Sequence, residues 1–378
     1  MKALIIADDL TGALDTGAAF AAASLRTRVC VRIPVPDEEW TRADTDVLSI
    51  NAQTRHLAPE EAFRTVYGLC AAAKAHQVPC IYKKTDSALR GNVGAELAAM
   101  RCCLELSSLP FVPAYPVLGR TVRDGILYID GVPAVQTALG KDPFDPLESS
   151  VVSDILQKTA PITEADCIEV YDAQTDADLL HAGTVLQERI FFSAGCGGFA
   201  KVLAARLTGQ LSCDPSVISD GNPPGCGGML LLCGSLHNAS LSQVRCAKAA
   251  GLPVHALPAH PQADFVQLIC EELDSPGISI LSSEGLSSKA EADTAGEALL
   301  RALCPSRRIR TLCVFGGDTF AAAMNALDIS TLHICRELYP GVVLSAARTD
   351  QGRLFVISKA GSFGSPDLIV RLPGALRT

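Results

Sequence analysis

The sequence predicts an α/β fold: two α/β domains with mostly parallel sheets and an active site in the interdomain cleft. Three observations lead there. Short continuous apolar runs, each followed by a helix-like segment, recur through both halves of the chain, the pattern of strands covered by helices on both faces. At 378 residues the chain exceeds one ordinary core. Between the halves, Gly221-Asn222-Pro223-Pro224-Gly225-Cys226-Gly227-Gly228 has the composition of a linker. The expected boundaries are 1–212 for a first domain, 213–228 for the linker and 229–378 for a second domain.

Residues 3–7 read as a buried strand and 12–24 as an alanine-rich helix. Strands follow at 28–33, 47–51 and 80–85, with a helix at 59–76 before the last of them. A further helix spans 94–106, with Asn92 as its cap. Residues 111–133 break the alternation with prolines and glycines, and 126–129 followed by Asp130-Gly131 reads as a short hairpin. That segment is a candidate flap or a contact between copies, so a homo-oligomer is a candidate assembly. A helix at 178–189, a strand at 190–193 and a helix at 199–207 restore the pattern. In the second half, strands at 229–233, 278–282 and 312–315 alternate with helices at 240–250, 289–303 and 319–327. Residues 342–346 and 354–358 read as two closing strands.

Composition narrows the function classes. A net charge of −9 and a pI near 5.3 argue against nucleic acid and against an anionic membrane surface. They leave room for a small anionic substrate in a locally positive pocket. The 15 cysteines are an odd count scattered through apolar runs, the usage of a reducing, cytoplasmic compartment and not of a disulfide framework. No cysteine–histidine spacing fits a zinc site, and no segment has the apolar length of a membrane span.

The chemistry gathers at strand ends. The apolar run Leu4-Ile5-Ile6-Ala7 ends in Asp8 and Asp9, followed by Thr11-Gly12 and a helix. One acid suffices to cap that helix; the second asks for a ligand or a cation. Two more junctions are polar: Asn51-Ala52-Gln53-Thr54-Arg55, and Lys83-Lys84-Thr85-Asp86-Ser87-Ala88-Leu89-Arg90-Gly91-Asn92. In a parallel sheet all three face one crevice. It would hold Asp8, Asp9, Asp86, Arg55, Lys83, Lys84 and Arg90. Acids accept from hydroxyls while Arg and Lys pair with a carboxylate, which suits a ligand carrying both. The alternative is a solvated loop with local ion pairs.

The second half offers glycine turns after strands: Cys233-Gly234-Ser235, Phe315-Gly316-Gly317-Asp318-Thr319 and Lys359-Ala360-Gly361-Ser362-Phe363-Gly364. Such turns let backbone N–H groups approach a phosphate at a helix N-terminus. Neither GxxxxGK[ST] nor GxGxxG is present, which excludes a P-loop and leaves a dinucleotide site without its fingerprint.

These motifs resemble the four-carbon acid sugar kinases. The likeness rests on Ile6-Ala7-Asp8-Asp9-Leu10-Thr11-Gly12-Ala13 and Lys83-Lys84-Thr85-Asp86-Ser87-Ala88-Leu89-Arg90-Gly91. It continues through Pro116-Val117-Leu118-Gly119-Arg120-Thr121, Tyr171-Asp172-Ala173-Gln174-Thr175-Asp176 and the three glycine turns. The resemblance implies an ATP-dependent, Mg²⁺-assisted kinase of threonate, erythronate or oxo-tetronate, with the sugar acid on the first domain and ATP on the second. It implies substrate contacts from Asp9, Arg55, Lys83, Lys84, Thr85 and Asp86, and nucleotide contacts from Ser235, Gly316, Gly317, Asp318, Thr319 and Gly361. Asp86 is the favoured acceptor of the hydroxyl proton and Asp9 its rival, with Arg55 and the lysines on the substrate carboxylate. Two alternatives stand beside this reading: a hydroxy-acid dehydrogenase, which lacks GxGxxG, and a non-catalytic sugar-acid sensor, for which the departures Ala88 and Phe320 speak.

Overall fold

Strand β1 (Ala3–Ala7) is fully buried and lies inside its sheet, between the strands Val47–Asn51 and Ile81–Lys84. The structure is a computed structural model and describes residues 1–141, 146–160, 162–209, 228–275, 277–350, 352–361 and 363–377. It falls into two compact units, Met1–Ser216 and Val217–Thr378. The expected linker at 213–228 lies, apart from Gly228, outside the described residues.

In the first unit β1 leads into α1 (Leu10–Ala22), then β2 (Thr27–Cys30), α2 (Asp37–Thr41), β3 (Val47–Asn51), α3 (Pro59–Ala75), β4 (Ile81–Lys84), α4 (Val93–Cys103) and β5 (Leu109–Val112). A small antiparallel sheet follows: β6 (Arg120–Arg123), β7 (Ile126–Ile129) and β8 (Val132–Pro133). After α5 (Val152–Gln157), α6 (Ile162–Ala165), β9 (Ile168–Val170) and α7 (Asp176–Leu186), the unit closes with β10 (Phe192–Gly195) and α8 (Gly197–Thr208). The main sheet is parallel throughout, in the order β2-β3-β1-β4-β10-β5-β9.

The expected hairpin is present. Asp130 (φ 51°) and Gly131 (φ 80°) form its two-residue turn, the doubly left-handed geometry that twisted strands prefer. The irregular stretch begins later than expected, because Phe111 lies inside β5 despite Pro110. Pairing on both sides, with β10 and β9, overrides the breaker signal there.

The second unit runs β11 (Met229–Cys233), α9 (Asn238–Ala249), β12 (Val254–Ala256), α10 (Ala263–Asp274), β13 (Ile278–Ser282), α11 (Lys289–Leu303), β14 (Thr311–Phe315) and α12 (Gly317–Ala326). It ends with β15 (Thr331–Tyr339), β16 (Val342–Thr349), β17 (Gly352–Lys359) and α13 (Leu368–Ala375). Its sheet order is β12-β13-β11-β14-β17-β16-β15, parallel as far as β17 and antiparallel for the last two pairings. Three closing strands replace the expected two.

Cys30, Cys70, Cys80, Cys196, Cys233 and Cys313 are buried thiols without disulfides. Burial pushes Cys30 up to about 12 and both Cys196 and Cys233 up to about 11, as expected of cysteines used as small hydrophobes. No helix among the described residues is long and apolar enough to cross a membrane.

Two helical glycines give opposite expectations. A Cβ on Gly94 of α4 would meet the Leu156 carbonyl oxygen of α5 at 1.9 Å, whereas one on Gly68 of α3 meets nothing within 4 Å. G94A should lower stability by about 1–3 kcal/mol through overpacking, despite alanine's better helix propensity. G68A should raise stability by about 0.5–1 kcal/mol. Denaturant midpoints of the two variants against the parent check both signs.

Candidate functional site

Register brings the first cluster together. Ala7 of β1 pairs with Asn51 of β3 on one side and with Lys84 of β4 on the other. The residues that follow these three positions therefore leave the sheet side by side at its carboxyl edge. Asp9 takes the capping role: its backbone is extended (φ −140°, ψ 165°) and its Oδ1 accepts from Gly12 N at 2.7 Å. Asp8 is the surplus acid and is buried.

Arg55 answers all three acids. Its Nε donates to Asp8 Oδ2 at 2.8 Å, and its terminal nitrogens lie 2.7 Å from Asp8 Oδ2, 2.7 Å from Asp9 Oδ2 and 3.6 Å from Asp86 Oδ1. Arg90 grips Asp86 through both carboxylate oxygens, at 2.7 and 3.1 Å. Lys84 Nζ donates to the Thr85 carbonyl at 2.7 Å. Thr85 itself is tied to Gly195 of β10 through its backbone N–H, at 2.9 Å.

Burial alone would raise the Asp8 carboxyl; Arg55, Lys83 and Lys84 outweigh it and hold the group below its usual range. Asp86 is likewise pushed up by burial, and Arg55 and Arg90 pull it far down. Burial opposes the charge on Arg55 and on Lys84, yet the surrounding aspartates raise both. One oxygen is left over: Asp8 Oδ1 is buried and has no hydrogen-bond partner. A buried carboxylate oxygen without a donor is rare in native proteins and marks a place for an incoming one.

The loop carrying Arg55 is clamped by α4. Asn92 stands at the expected N-cap position but does not cap; its amide instead donates to the carbonyls of Thr54 and Leu57, each at 2.8 Å. Glu96, buried in α4, accepts from the Thr54 hydroxyl and lies 3.0 Å from Lys83 Nζ. Burial raises the Glu96 carboxyl, with Lys83 opposing. Gln53 (φ 55°) and Leu89 (φ 58°), just before Arg55 and Arg90, both adopt the left-handed region that non-glycine residues avoid.

Of the residues expected on the substrate side, Asp9, Arg55, Lys84, Thr85, Asp86 and Arg90 are drawn into one cluster with Asp8. Lys83 is not at its surface: it is fully buried and its ammonium is taken by Glu96 and the Lys84 carbonyl. Glu96 and Asp15 were missed. Their only sequence signal is a lone acid in an otherwise apolar, alanine-rich helix. Asp15 helps raise Lys84, and a Cβ on Gly197, at the start of α8, would fall 2.3 Å from its Oδ2.

The second unit shows the same economy. Cys233 pairs with Phe315 and Phe315 with Lys359, so the three glycine turns leave one edge together. A Cβ on Gly234 would lie 1.9 Å from Thr319 Oγ1, and one on Gly361 would lie 2.3 Å from Ser235 Oγ. Gly316 has φ 114°, open only to glycine, and faces Ser235. Thr319 Oγ1 donates to Asp293 Oδ1 at 3.0 Å. Ser235 thus lies against both Gly316 and Gly361, Thr319 lies against Gly234, and Gly317 opens α12. Asp318 turns outward into an exposed ion pair with Lys289. The cap of α9 is His237, whose Nδ1 accepts from Ala239 N. Ser362 lies outside the described residues.

Residues 3–167 match the family of sugar-binding N-terminal domains, and residues 230–369 that of nucleotide-binding C-terminal domains. A D-threonate kinase of Bordetella bronchiseptica is 30% identical, with 99% of this chain and 97% of the relative covered. A 3-oxo-tetronate kinase of Methylobacterium radiotolerans is 28% identical, with 97% of each covered. Among solved structures, a protein of Salmonella typhimurium LT2 shares the fold with a TM-score of 0.79 at 22% identity, over 98% of this chain and 99% of that one.

Removing Arg55 tests the cluster. Arg55→Ala leaves Asp8 buried against Lys83 and Lys84 alone, a loss of about 3–5 kcal/mol at neutral pH. Its carboxyl then rises above its unfolded value, so the native state binds a proton that the parent does not. The deficit should therefore shrink as pH falls from 7 to 5. A deficit that is constant or grows over that range in denaturant titrations would show that Arg55 does not compensate Asp8.

Proposed function

Since the chain belongs to the four-carbon acid sugar kinase family, we propose that it moves the terminal phosphoryl group of ATP to a terminal hydroxyl of a four-carbon sugar acid. The enzyme is a sugar acid kinase. Relatives that match along nearly the whole chain are named kinases, which removes the dehydrogenase alternative.

One observation carries the substrate side: three carboxylates ordered on one guanidinium, with Asp8 Oδ1 still lacking a donor. Ordered acids accept from vicinal hydroxyls without reorganising. Arg55 is occupied by these acids, so its role is to order them; the substrate carboxylate goes to a more accessible cation. Arg90 is that cation, its side chain 36% exposed against 14% for Arg55. Lys83 supports the site from beneath.

The proton acceptor is the more accessible acid. Asp86 is held by two arginines and is a weak base as it stands. Asp9 keeps a side chain 27% exposed and sits at the first turn of α1. Phosphoryl transfer is loose in character, so positioning carries most of the rate enhancement and the proton acceptor adds to it.

Ser235, Gly316, Gly317, Thr319 and Gly361 are the residues that would hold the ATP phosphates. The fit rests on positions where a Cβ would collide or the backbone is left-handed, with helix N-termini beside them. Among the described residues no group of three or more His, Cys, Asp or Glu could hold a metal by itself. That suits Mg²⁺, which binds mainly through phosphates and water; when bound, it neutralises charge on the phosphates. Buried thiols support a cytoplasmic location, and exposed Val132 of β8 and Val117, just before β6, support a contact between copies. No nucleic acid or membrane partner is proposed.

A panel of threonates, erythronates and 3-oxo-tetronates with Mg-ATP, read by ADP release and product mass, tests the reading. ADP release dependent on at least one of these acids is expected; release with none of them would leave only the sensor alternative. Arg90→Ala should raise KM for the acid about 10–100-fold, the worth of a charge-assisted hydrogen bond, with KM for ATP unchanged. Asp9→Asn should lower kcat by about 100-fold or more, and Asp86→Asn should act chiefly on KM. The reverse split would return the proton to Asp86.

A further inference from the structure

Lys359 ends β17 and is 2% exposed. Among the described residues no carboxylate lies within ion-pair distance of it. Its ammonium donates instead to three neutral oxygens: the Gly361 carbonyl at 3.2 Å, the Phe363 carbonyl at 3.0 Å and Ser240 Oγ at 3.1 Å. It also lies 4.4 Å from the centre of the Phe315 ring. The Ser240 hydroxyl in turn donates a hydrogen bond to the Gly361 carbonyl at 2.8 Å.

These contacts join all three glycine turns. Phe315 immediately precedes Gly316, whose N–H donates to the Lys359 carbonyl at 3.0 Å. Gly361 packs on Ser235, which follows Gly234. Ser240 belongs to the first turn of α9. A buried ammonium without a counter-ion is unfavourable in a fold that needs only tight turns. What it provides is a collecting point for carbonyl oxygens at the edge where a phosphate would enter. Those oxygens repel an anion, and here they face a cation instead.

We propose that Lys359 is a positioning residue for the nucleotide, gathering the Gly361 and Phe363 carbonyls and Ser240 so that the three glycine turns are preformed for the phosphates. This rests on the kinase reading of the site. It assigns Lys359 a role that acts through the turns it holds. The groups facing the ammonium are Cys233 of β11, Cys313 and Phe315 of β14, Ser240 of α9 and, beside them, His237. The two thiols raise Lys359 slightly; burial outweighs them and lowers it to about 8. His237 is lowered by burial and by Lys359.

The pH dependence separates positioning from plain structure. The neutral amine has two N–H donors for three acceptors, so one contact is released as pH rises through about 8. Nucleotide affinity then falls. Fold stability moves the other way: a lysine whose folded value lies below its unfolded one leaves the native state with fewer protons, so stability rises with pH across that window.

The test is calorimetric titration of the full chain with Mg-ADP from pH 7 to 9.5, beside thermal unfolding over the same range. Affinity should drop about 10-fold, the worth of one hydrogen bond to a charged group, while this residue's contribution to stability increases. Lys359→Met should weaken Mg-ADP at pH 7 by about 10-fold or more and flatten the profile; Ser240→Ala, the milder change, should weaken it several-fold. A parent chain with pH-independent affinity, or a folded Lys359→Met or Ser240→Ala variant binding as tightly as the parent, would overturn the positioning role and leave the kinase reading intact. A parent chain that binds no Mg-ADP at any pH would overturn both.

Discussion

The guanidinium of Arg55 is the constraint on which the first unit's site depends. Parallel register forces Asp8 and Asp9 at the end of β1 to leave the sheet beside Asp86 after β4. Three carboxylates gathered there would repel one another and bury unpaired charge. A planar fork of fixed donors resolves this where a single ammonium could not, because it offers separate edges to separate acids. Buried ion pairs rarely add much net stability. What this one supplies is order: the acids are held in one arrangement before any ligand arrives.

That order is maintained from behind. Asn92, just before α4, and Glu96 within it hold the carbonyls and hydroxyl of the loop that carries Arg55, and Lys83 in turn satisfies Glu96. The second unit uses the same device with the partners exchanged. There a buried cation, Lys359, meets carbonyl oxygens in place of carboxylates. Within each unit the prepared edge is the carboxyl end of parallel strands, where open α/β sheets bind ligands.

Much of this was legible in the chain. β1, β3, β11, β13 and α11 stand where apolar runs and helical patterning set them, since a strand buried on both faces is predominantly apolar. Some elements that escaped, such as α2, β9 and β12, are too short to sustain either period; β15 and α10 are longer but only partly buried, so polar residues break up their apolar pattern. The site followed the same division. Asp9, Arg55 and Asp86 announced themselves as charges at strand ends. Lys83 did too, but alternation along β4 and a partner on α4 draw its charge inward. Asp318 sits in a glycine motif, yet Lys289 from another helix draws it to the surface.

By itself the sequence determined which residue types stand at the end of each strand, because local patterning fixes where strands stop and which side chains follow. From that came the α/β class, the two polar edges and the ligand class proposed for each. Only the tertiary structure decided who pairs with whom: that Arg55 is consumed by three aspartates, that Glu96 and Lys83 are support, and that Lys359 gathers carbonyls. Those outcomes depend on register between strands distant in the chain and on burial, which sets the strength of every charge, and neither quantity is local.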